Sequence, residues 1–185
     1  RGLGDVYKSQ ASWSGEWWST PHGVPASTRE LFDTTPAGLW LVEDSMGWET
    51  AETLRLSIPE GLRIYEIDSA EAWAELCRRF PLHQTAQKRH DWYRTTGRSG
   101  KWVTPDWAEV AQHYDAVHLP VATYLAAAGT AIPVDVDTTG ADTASVIAGW
   151  GPDATYWFTP RINHIGSPVT WVLKEHDTGE NWERE

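Results

Sequence analysis

Cysteine is almost absent from this chain, since Cys77 is the only one among 185 residues. A disulfide within the chain is therefore excluded, and so is a zinc site built from paired cysteines, as in the zinc-dependent nucleobase deaminases. Cys77 lies at helical spacing with Trp73 and Phe80 in WAELCRRF, which predicts a buried thiol in the core. A nucleophilic cysteine is the alternative.

The chain also lacks long hydrophobic runs and an excess of positive charge. No apolar stretch approaches the roughly 18 residues of a membrane span, and 41% hydrophobic and 22% charged residues are typical of one globular domain. The formal net charge of −11 argues against extended nucleic-acid binding, which needs many Lys and Arg, but not against a small nucleotide. We expect a cytoplasmic protein without a membrane partner.

Common catalytic signatures are missing as well. The sequence contains no GxGxxG, GxxxxGK[ST], HExxH or GxSxG motif. Short strand candidates follow one another too closely for repeated crossover helices, so a doubly wound fold is not expected. We predict instead a single α+β domain with a mixed or largely antiparallel sheet and two or three helices.

Tryptophan, in contrast, is abundant, with 13 residues spread from Trp13 to Trp182 without a fixed period. Such enrichment indicates either stacking surfaces for sugars and bases or a small core filled with aromatic rings. One segment, QKRHDWYRTTGRSGKW, also interleaves aromatic residues with cations. We interpret it as a basic loop that either takes phosphates or a nucleic-acid strand, or is solvated with arginines on aromatic faces. Its cations and aromatics are Lys88, Arg89, Arg94, Arg98, Lys101, Trp92, Tyr93 and Trp102.

Helix signals are clearest in the middle of the chain. SAEAWAELCRRF has Ser69 as its N-cap and apolar residues on one face, and TPDWAEVAQHY repeats this pattern with Thr104 as the cap and Pro105 at the first helical position. A capping box from Ser27 to Glu30 predicts a helical turn at STRELF. GWETAETLRLSI is interpreted as a short helix or a helix passing into a strand, and VATYLAAAG as a helical turn or a strand edge.

Strand signals precede and follow these helices. GLWLVED and LRIYEID predict buried or alternating strands, and further candidates are DAVHLP, AIPVDVD, ASVIAGW, TYWFTP and PVTWVLKEH. The acidic tail at residues 175–185 is expected to fray in solvent, which leaves residues 11–174 as the globular domain.

The first ten residues, RGLGDVYKSQ, resemble the translated end of a transposon-based sequencing adapter. We therefore expect residues 1–10 not to be native and the natural protein to begin upstream of Ala11.

Two segments concentrate residues with chemical potential. HYDAVHL places His113, Asp115 and His118 close together, which predicts either an acid–base pair or a turn residue followed by a hydrogen-bonded strand histidine. Asp115 and His118 with Asp135 could also bind a metal, but their spacing matches no known ligand pattern, so no metal is predicted.

GLWLVEDSMGW, PDWAEVAQHYDAVHL and GWGPDATYW together resemble a mostly uncharacterised family of actinobacteria and their phages, which has GLW…W and GWD…W motifs. The resemblance covers roughly residues 38–158 and implies little chemistry by itself.

GLWLVEDSMGWETAETL and PDATYWFTPR are also similar to two elements of ADP-ribosyltransferases. This resemblance implies NAD as the substrate, with Trp40 stacked on nicotinamide, His22 or Arg29 holding the ribose or pyrophosphate, and Asp153 beside Tyr156 stabilising the ribosyl cation. The glutamate expected near Thr155 is missing. The other interpretation of Asp153 is a turn-capping residue in GWGPD.

The sequence thus favours an ADP-ribosyltransferase-like enzyme that uses NAD, with an unknown acceptor. The alternative is a non-catalytic, tryptophan-rich binding protein or phage accessory protein.

Overall fold

The computed structural model describes residues 15–42, 47–135, 142–177 and 179–185. Within these residues the chain forms five helices and eleven strands in three mostly antiparallel sheets, so the predicted single-domain α+β class is confirmed. The helices outnumber the two or three expected. The proposed adapter segment, residues 1–10, lies outside the described residues.

The helices and strands alternate irregularly along the chain. The helices are α1 (Ala37–Trp40), α2 (Ala70–Arg79), α3 (Thr85–Thr96), α4 (Trp107–His113) and α5 (Val121–Ala127). The strands are β1 (Ala26–Ser27), β2 (Thr50–Ser57), β3 (Ile64–Glu66), β4 (Pro81–His83), β5 (Lys101–Pro105), β6 (Ala116–His118), β7 (Ile132–Pro133), β8 (Thr143–Ser145), β9 (Thr155–Trp157), β10 (Asn163–His176) and β11 (Gly179–Arg184).

The first sheet has the strand order β1-β9-β6-β3. Strands β3 and β6 are parallel, whereas β9 runs antiparallel to both β6 and β1. The second sheet has the order β4-β5-β8-β7, with a parallel pair β5–β8 between two antiparallel pairs. No helix among the described residues is long and apolar enough to cross a membrane.

The main core lies between these two sheets and helices α2, α4 and α5. Trp73, Leu76 and Cys77 of α2 are fully buried in it, as the helical spacing of the sequence predicts. A second cluster packs Trp92 of α3 against Trp102 of β5, with ring centroids 5.2 Å apart and planes at 86°. Most tryptophans therefore fill the core: of the twelve described, seven are buried, namely Trp73, Trp92, Trp102, Trp150, Trp157, Trp171 and Trp182.

The third sheet, β11-β10-β2, corrects two expectations. The segment GWETAETLRLSI forms strand β2 and no helix, because it pairs along its length with the long strand β10. The acidic tail does not fray: residues 179–184 pair with β10, and Trp182 is 7% exposed with its indole N–H donating to the Leu39 carbonyl at 3.0 Å. A single apolar side chain thus anchors a strand whose other residues are mostly polar.

The N-terminal third also differs from the sequence interpretation. The run GLWLVED was predicted as a strand, but it begins inside the short helix α1, and residues 43–46 lie outside the described part. STRELF forms no helical turn, since the Thr28–Pro36 segment folds back on itself instead. The Thr28 hydroxyl accepts the Gly38 N–H, and the Arg29 carbonyl accepts the Ala37 N–H at 2.8 Å.

Helix starts were predicted with mixed success. Ser69 caps α2 as expected, because its hydroxyl accepts the Ala72 N–H at 3.1 Å. In α4 the cap is Asp106 and not Thr104, since Thr104 and Pro105 belong to β5 and the Asp106 carboxylate accepts the Ala108 N–H at 3.0 Å. The segment QKRHDWYRTTGRSGKW, residues 87–102, was predicted as a basic loop, but residues 87–96 belong to helix α3 and residues 101–102 to β5. The helix has Gly97 as its C-cap, with a left-handed φ of 69°. VATYLAAAG is resolved as helix α5.

Candidate functional site

Four charged or ionisable side chains form a row across one end of the first sheet. Glu66 and His118 are the last residues of the parallel strands β3 and β6 and face each other in register. Across β6–β9, His118 is opposite Thr155, two residues after Asp153. Ser27 of β1 is opposite Thr155 as well, so continuing this antiparallel ladder by two residues places Arg29 opposite Asp153. The row therefore follows the strand order of the sheet.

His118 lies between the two carboxylates of this row. Its Nδ1 lies 2.8 Å and 2.9 Å from the two carboxylate oxygens of Glu66. Its Nε2 is buried and lies 3.4 Å from Oδ1 of Asp153, within ion-pair distance but without hydrogen-bond geometry. The side chain of His118 is 8% exposed, whereas that of Glu66 is 48% exposed. Glu66 is thus the carboxylate of the row that water and small molecules can reach.

Asp153 is held mainly by Arg29. The Nε of Arg29 donates to Oδ1 at 2.8 Å, the Nη2 donates to the same oxygen, and the backbone N–H of Arg29 donates to Oδ2 at 3.0 Å. Burial of the carboxyl group favours its neutral form, but these hydrogen bonds and the positive charge of Arg29 outweigh burial and lower the pKa of Asp153. The same hydrogen bonds raise the pKa of Arg29. Asp153 is therefore a fixed negative charge.

The backbone at Asp153 has an unusual conformation for a residue with a side chain. Its φ is +65°, and the Ala154 N–H donates to the Gly151 carbonyl at 3.1 Å, which closes a turn over Gly151, Pro152, Asp153 and Ala154. Proline at the second position and a positive φ at the third are the features of a type II turn, in which glycine is usual at the third position. Asp153 is 3% exposed, and its side chain bonds Arg29 rather than capping the turn. The carboxylate is thus held by Arg29 at the third position of this turn.

Two further predicted residues lie close to the row along the chain. Tyr156 is in β9 opposite Ala26, and its ring packs edge-on against Trp150 with centroids 5.0 Å apart. Trp40 is 38% exposed at the end of α1, three residues after Ala37, whose N–H is bonded to the Arg29 carbonyl. The Trp40 indole is therefore carried on the segment that folds back onto Arg29.

The other predicted residues have different partners. His22 is exposed, and its Nε2 lies 3.1 Å from Glu16, whose carboxylate is also 3.4 Å from the buried Lys88 ammonium. His113 is exposed at the end of α4, with its ring 5.1 Å from that of Phe80.

Asp115 does not serve as the partner of His118. Its carboxylate accepts the Arg63 N–H at 2.8 Å and lies 3.6 Å from Arg63 Nε, so it orders the entry into β6. Asp135 is exposed after β7. In the described part of the chain, no group of three or more His, Cys, Asp or Glu side chains is placed to hold a metal ion.

Glu66 is the member of the row that sequence analysis did not identify. It stands in LRIYEID, where alternation predicted a strand but gave no reason to choose this glutamate among 26 acidic residues. Its contact with His118 depends on the parallel register of β3 and β6, whose residues are 52 positions apart. Only a correct pairing of these two strands would have revealed it.

A scan against protein-family models finds no match for this chain, and comparisons with curated proteins and with solved structures find none either.

Proposed function

We propose that this protein is an ADP-ribosyltransferase-like enzyme that uses NAD and that its reacting centre is the row Glu66–His118–Asp153–Arg29. The observation that carries the proposal is the convergence of Arg29 and Asp153, which the resemblance assigns to NAD, with His118 and a solvent-facing carboxylate. These residues come from four separate parts of the chain. They meet where two parallel strands end, a common position for ligand sites in sheets.

The roles within the row follow from exposure. Asp153 is buried and bonded to Arg29, so it acts as a positioning residue that holds Arg29 in place. Its negative charge also lies within ion-pair distance of His118. Glu66, the exposed carboxylate, replaces Asp153 as the group that faces the ribosyl cation. The Arg29 side chain is 67% exposed and uses only Nε and Nη2 for Asp153, which leaves N–H donors for the pyrophosphate of NAD.

The reaction needs little covalent help from the protein. The bond between nicotinamide and ribose breaks with its electron pair going to the nicotinamide nitrogen, which leaves an oxocarbenium ion on the ribose. The Glu66 carboxylate stabilises that cation through its negative charge and then takes the proton of the attacking acceptor group. His118 holds the carboxylate in place. Trp40, on the segment bonded to Arg29, supplies a ring for nicotinamide to stack on.

The alternative proposal is a non-catalytic binding protein. It is favoured by the exposure of three tryptophans, Trp18 at 53%, Trp40 at 38% and Trp48 at 58%. Exposed indole rings are typical of recognition surfaces. In that case the row would be a structural ion-pair network, and no chemistry would depend on Glu66.

The test measures nicotinamide release from NAD by the wild-type protein and by Glu66→Gln. Removing a group that acts as cation stabiliser and base lowers such a rate by about 10²- to 10⁴-fold. Glu60→Gln is the matched control, because Glu60 is an exposed glutamate just before β3 that is not part of the row. It should release nicotinamide at the wild-type rate.

Binding and catalysis are separated by titrating tryptophan fluorescence with NAD. The proposal expects saturable quenching in wild type and in Glu66→Gln, and weaker binding in Arg29→Gln. A folded protein with no response to millimolar NAD, or with equal rates in wild type and Glu66→Gln, would overturn the enzyme proposal and favour the binding protein.

A further inference from the structure

A concave site lies away from the row, between helix α3 and strand β5. It is a cavity of about 790 Å³, within the range of ordinary small-molecule sites. Its described wall gathers six of the eight cations and aromatics of the segment QKRHDWYRTTGRSGKW. The side chains that matter are Arg89, Arg94, Arg98, Lys101, Tyr93 and Trp102.

The charge of this cavity is opposite to that of the protein. Four of the 15 Lys and Arg residues line it, whereas the chain as a whole carries −11. Asp142 is the one carboxylate of the described lining, and it is engaged by Arg98, whose Nη2 donates to it at 2.6 Å. Arg89, Arg94 and Lys101 form no ion pair with any described residue. Unpaired cations converging on one cavity favour an anionic ligand.

The aromatic wall has an unsatisfied donor. Six of the seven buried tryptophans donate their indole N–H to a protein oxygen, at 2.8 to 3.3 Å. Trp102, which is completely buried, has an N–H without an acceptor among the described residues. The Arg98 guanidinium covers the Trp102 ring at 4.7 Å and is itself only 18% exposed. A buried donor without a partner is costly, so Trp102 is the exception among the buried tryptophans.

Tyr93 provides a face for a flat ring at the same site. Tyr93 is 52% exposed and lies in the last turn of α3, directly before Arg94 and one turn before the Gly97 cap. An exposed aromatic ring beside unpaired cations is the combination that nucleotides select, because the ring stacks on the base while Lys and Arg bind the phosphates.

We propose that this cavity is a binding site for a free nucleoside diphosphate or a similar nucleotide. Arg89, Arg94 and Lys101 bind its phosphates, and Tyr93 stacks on its base. A nucleic-acid strand offers the same chemistry, but it would extend beyond the cavity over a surface whose net charge repels it. The site shares no residue with the row Glu66–His118–Asp153–Arg29, so it does not depend on the proposed enzyme activity.

The proposal is tested by calorimetric titration of three proteins with ADP. They are the wild type, the double variant that carries Arg94→Gln and Lys101→Gln, and the single variant Tyr93→Leu. Losing two charge-assisted contacts should weaken ADP binding by about tenfold or more. Tyr93→Leu should weaken binding of ADP but not of inorganic pyrophosphate. Arg161→Gln is the matched control, since Arg161 is an exposed arginine outside the cavity, and it should leave ADP affinity unchanged.

The outcomes separate the alternatives. The site is supported if ADP binds more tightly than pyrophosphate and if the double variant is the only charge variant that loses ADP binding. Absence of ADP binding, or equal affinity in wild type and the double variant, overturns it. Tighter binding of a short single-stranded oligonucleotide than of ADP overturns the assignment to a free nucleotide.

Discussion

Arg29 and Asp153 are 124 residues apart in the sequence, yet they lie opposite one another where the β1–β9 ladder ends and share both side-chain and backbone hydrogen bonds. The pair is asymmetric, since the Asp153 side chain is 4% exposed and that of Arg29 is 67% exposed. Loss of Arg29 and loss of Asp153 should therefore lower the free energy of unfolding by different amounts, because an exposed arginine can be hydrated whereas a buried carboxylate cannot.

We expect Arg29→Gln to lower the free energy of unfolding by about 2 kcal/mol and Asp153→Asn by about 1 kcal/mol. The asparagine keeps one acceptor for Arg29 and leaves no buried charge. Urea denaturation at pH 7 of both variants and of the double variant measures the two costs and their coupling. Equal costs, or a larger cost for Asp153→Asn, would contradict this ranking.

The same pair should make the free energy of unfolding depend on pH in the acidic range. The folded pKa of Asp153 lies below its usual value, so the folded protein binds this proton less readily than the unfolded chain does. The stabilisation is present above the unfolded pKa of about 3.9 and is lost as the pH falls through the folded value. Between pH 7 and pH 3 the wild type should therefore lose more unfolding free energy than Asp153→Asn, measured by urea denaturation at each pH. Parallel losses would show that Asp153 does not titrate as described.

Cys77 should be inert in the native protein. Burial raises the pKa of its thiol to about 12, with only partial compensation from a hydrogen bond with Ser145. Because the thiolate is the reactive form, a thiol reagent at pH 8 should modify Cys77 only after unfolding. Urea-unfolded protein, in which one thiol per chain should react at once, is the control. Rapid labelling of the native protein would instead support the interpretation of Cys77 as a nucleophile, which the sequence left open.

Trp182 should account for much of the stability of the third sheet. It is the buried side chain of β11, and its indole N–H donates a hydrogen bond to the Leu39 carbonyl. We expect Trp182→Ala to lower the free energy of unfolding by about 3 kcal/mol and to expose residues 179–185 to proteolysis. Asn181→Ala, an exposed change in the same strand, should be nearly neutral. A neutral Trp182→Ala would mean that the tail frays after all.

Local patterns fixed some elements well. Helix α2 was predicted with its Ser69 cap and its buried face because capping and helical spacing are properties of neighbouring residues. Strands β3, β6 and β9 were also predicted, since alternation and turn residues mark them locally. The basic segment shows the limit of such patterns: its polarity indicated a loop, but residues 87–96 belong to helix α3, whose Trp92 packs against Trp102 of β5.

What the sequence determined by itself was the α+β class and an acidic protein without paired cysteines, and it offered Arg29, Asp153 and His118 only as separate candidates. Their assembly into one row, with Glu66 as its exposed carboxylate, was decided by the tertiary structure. The same holds for the pairing of β11 and for the cationic cavity. The physical reason is that strand register and cavity walls arise from contacts between residues far apart in the chain, and the free energy of those contacts is not encoded in any local pattern.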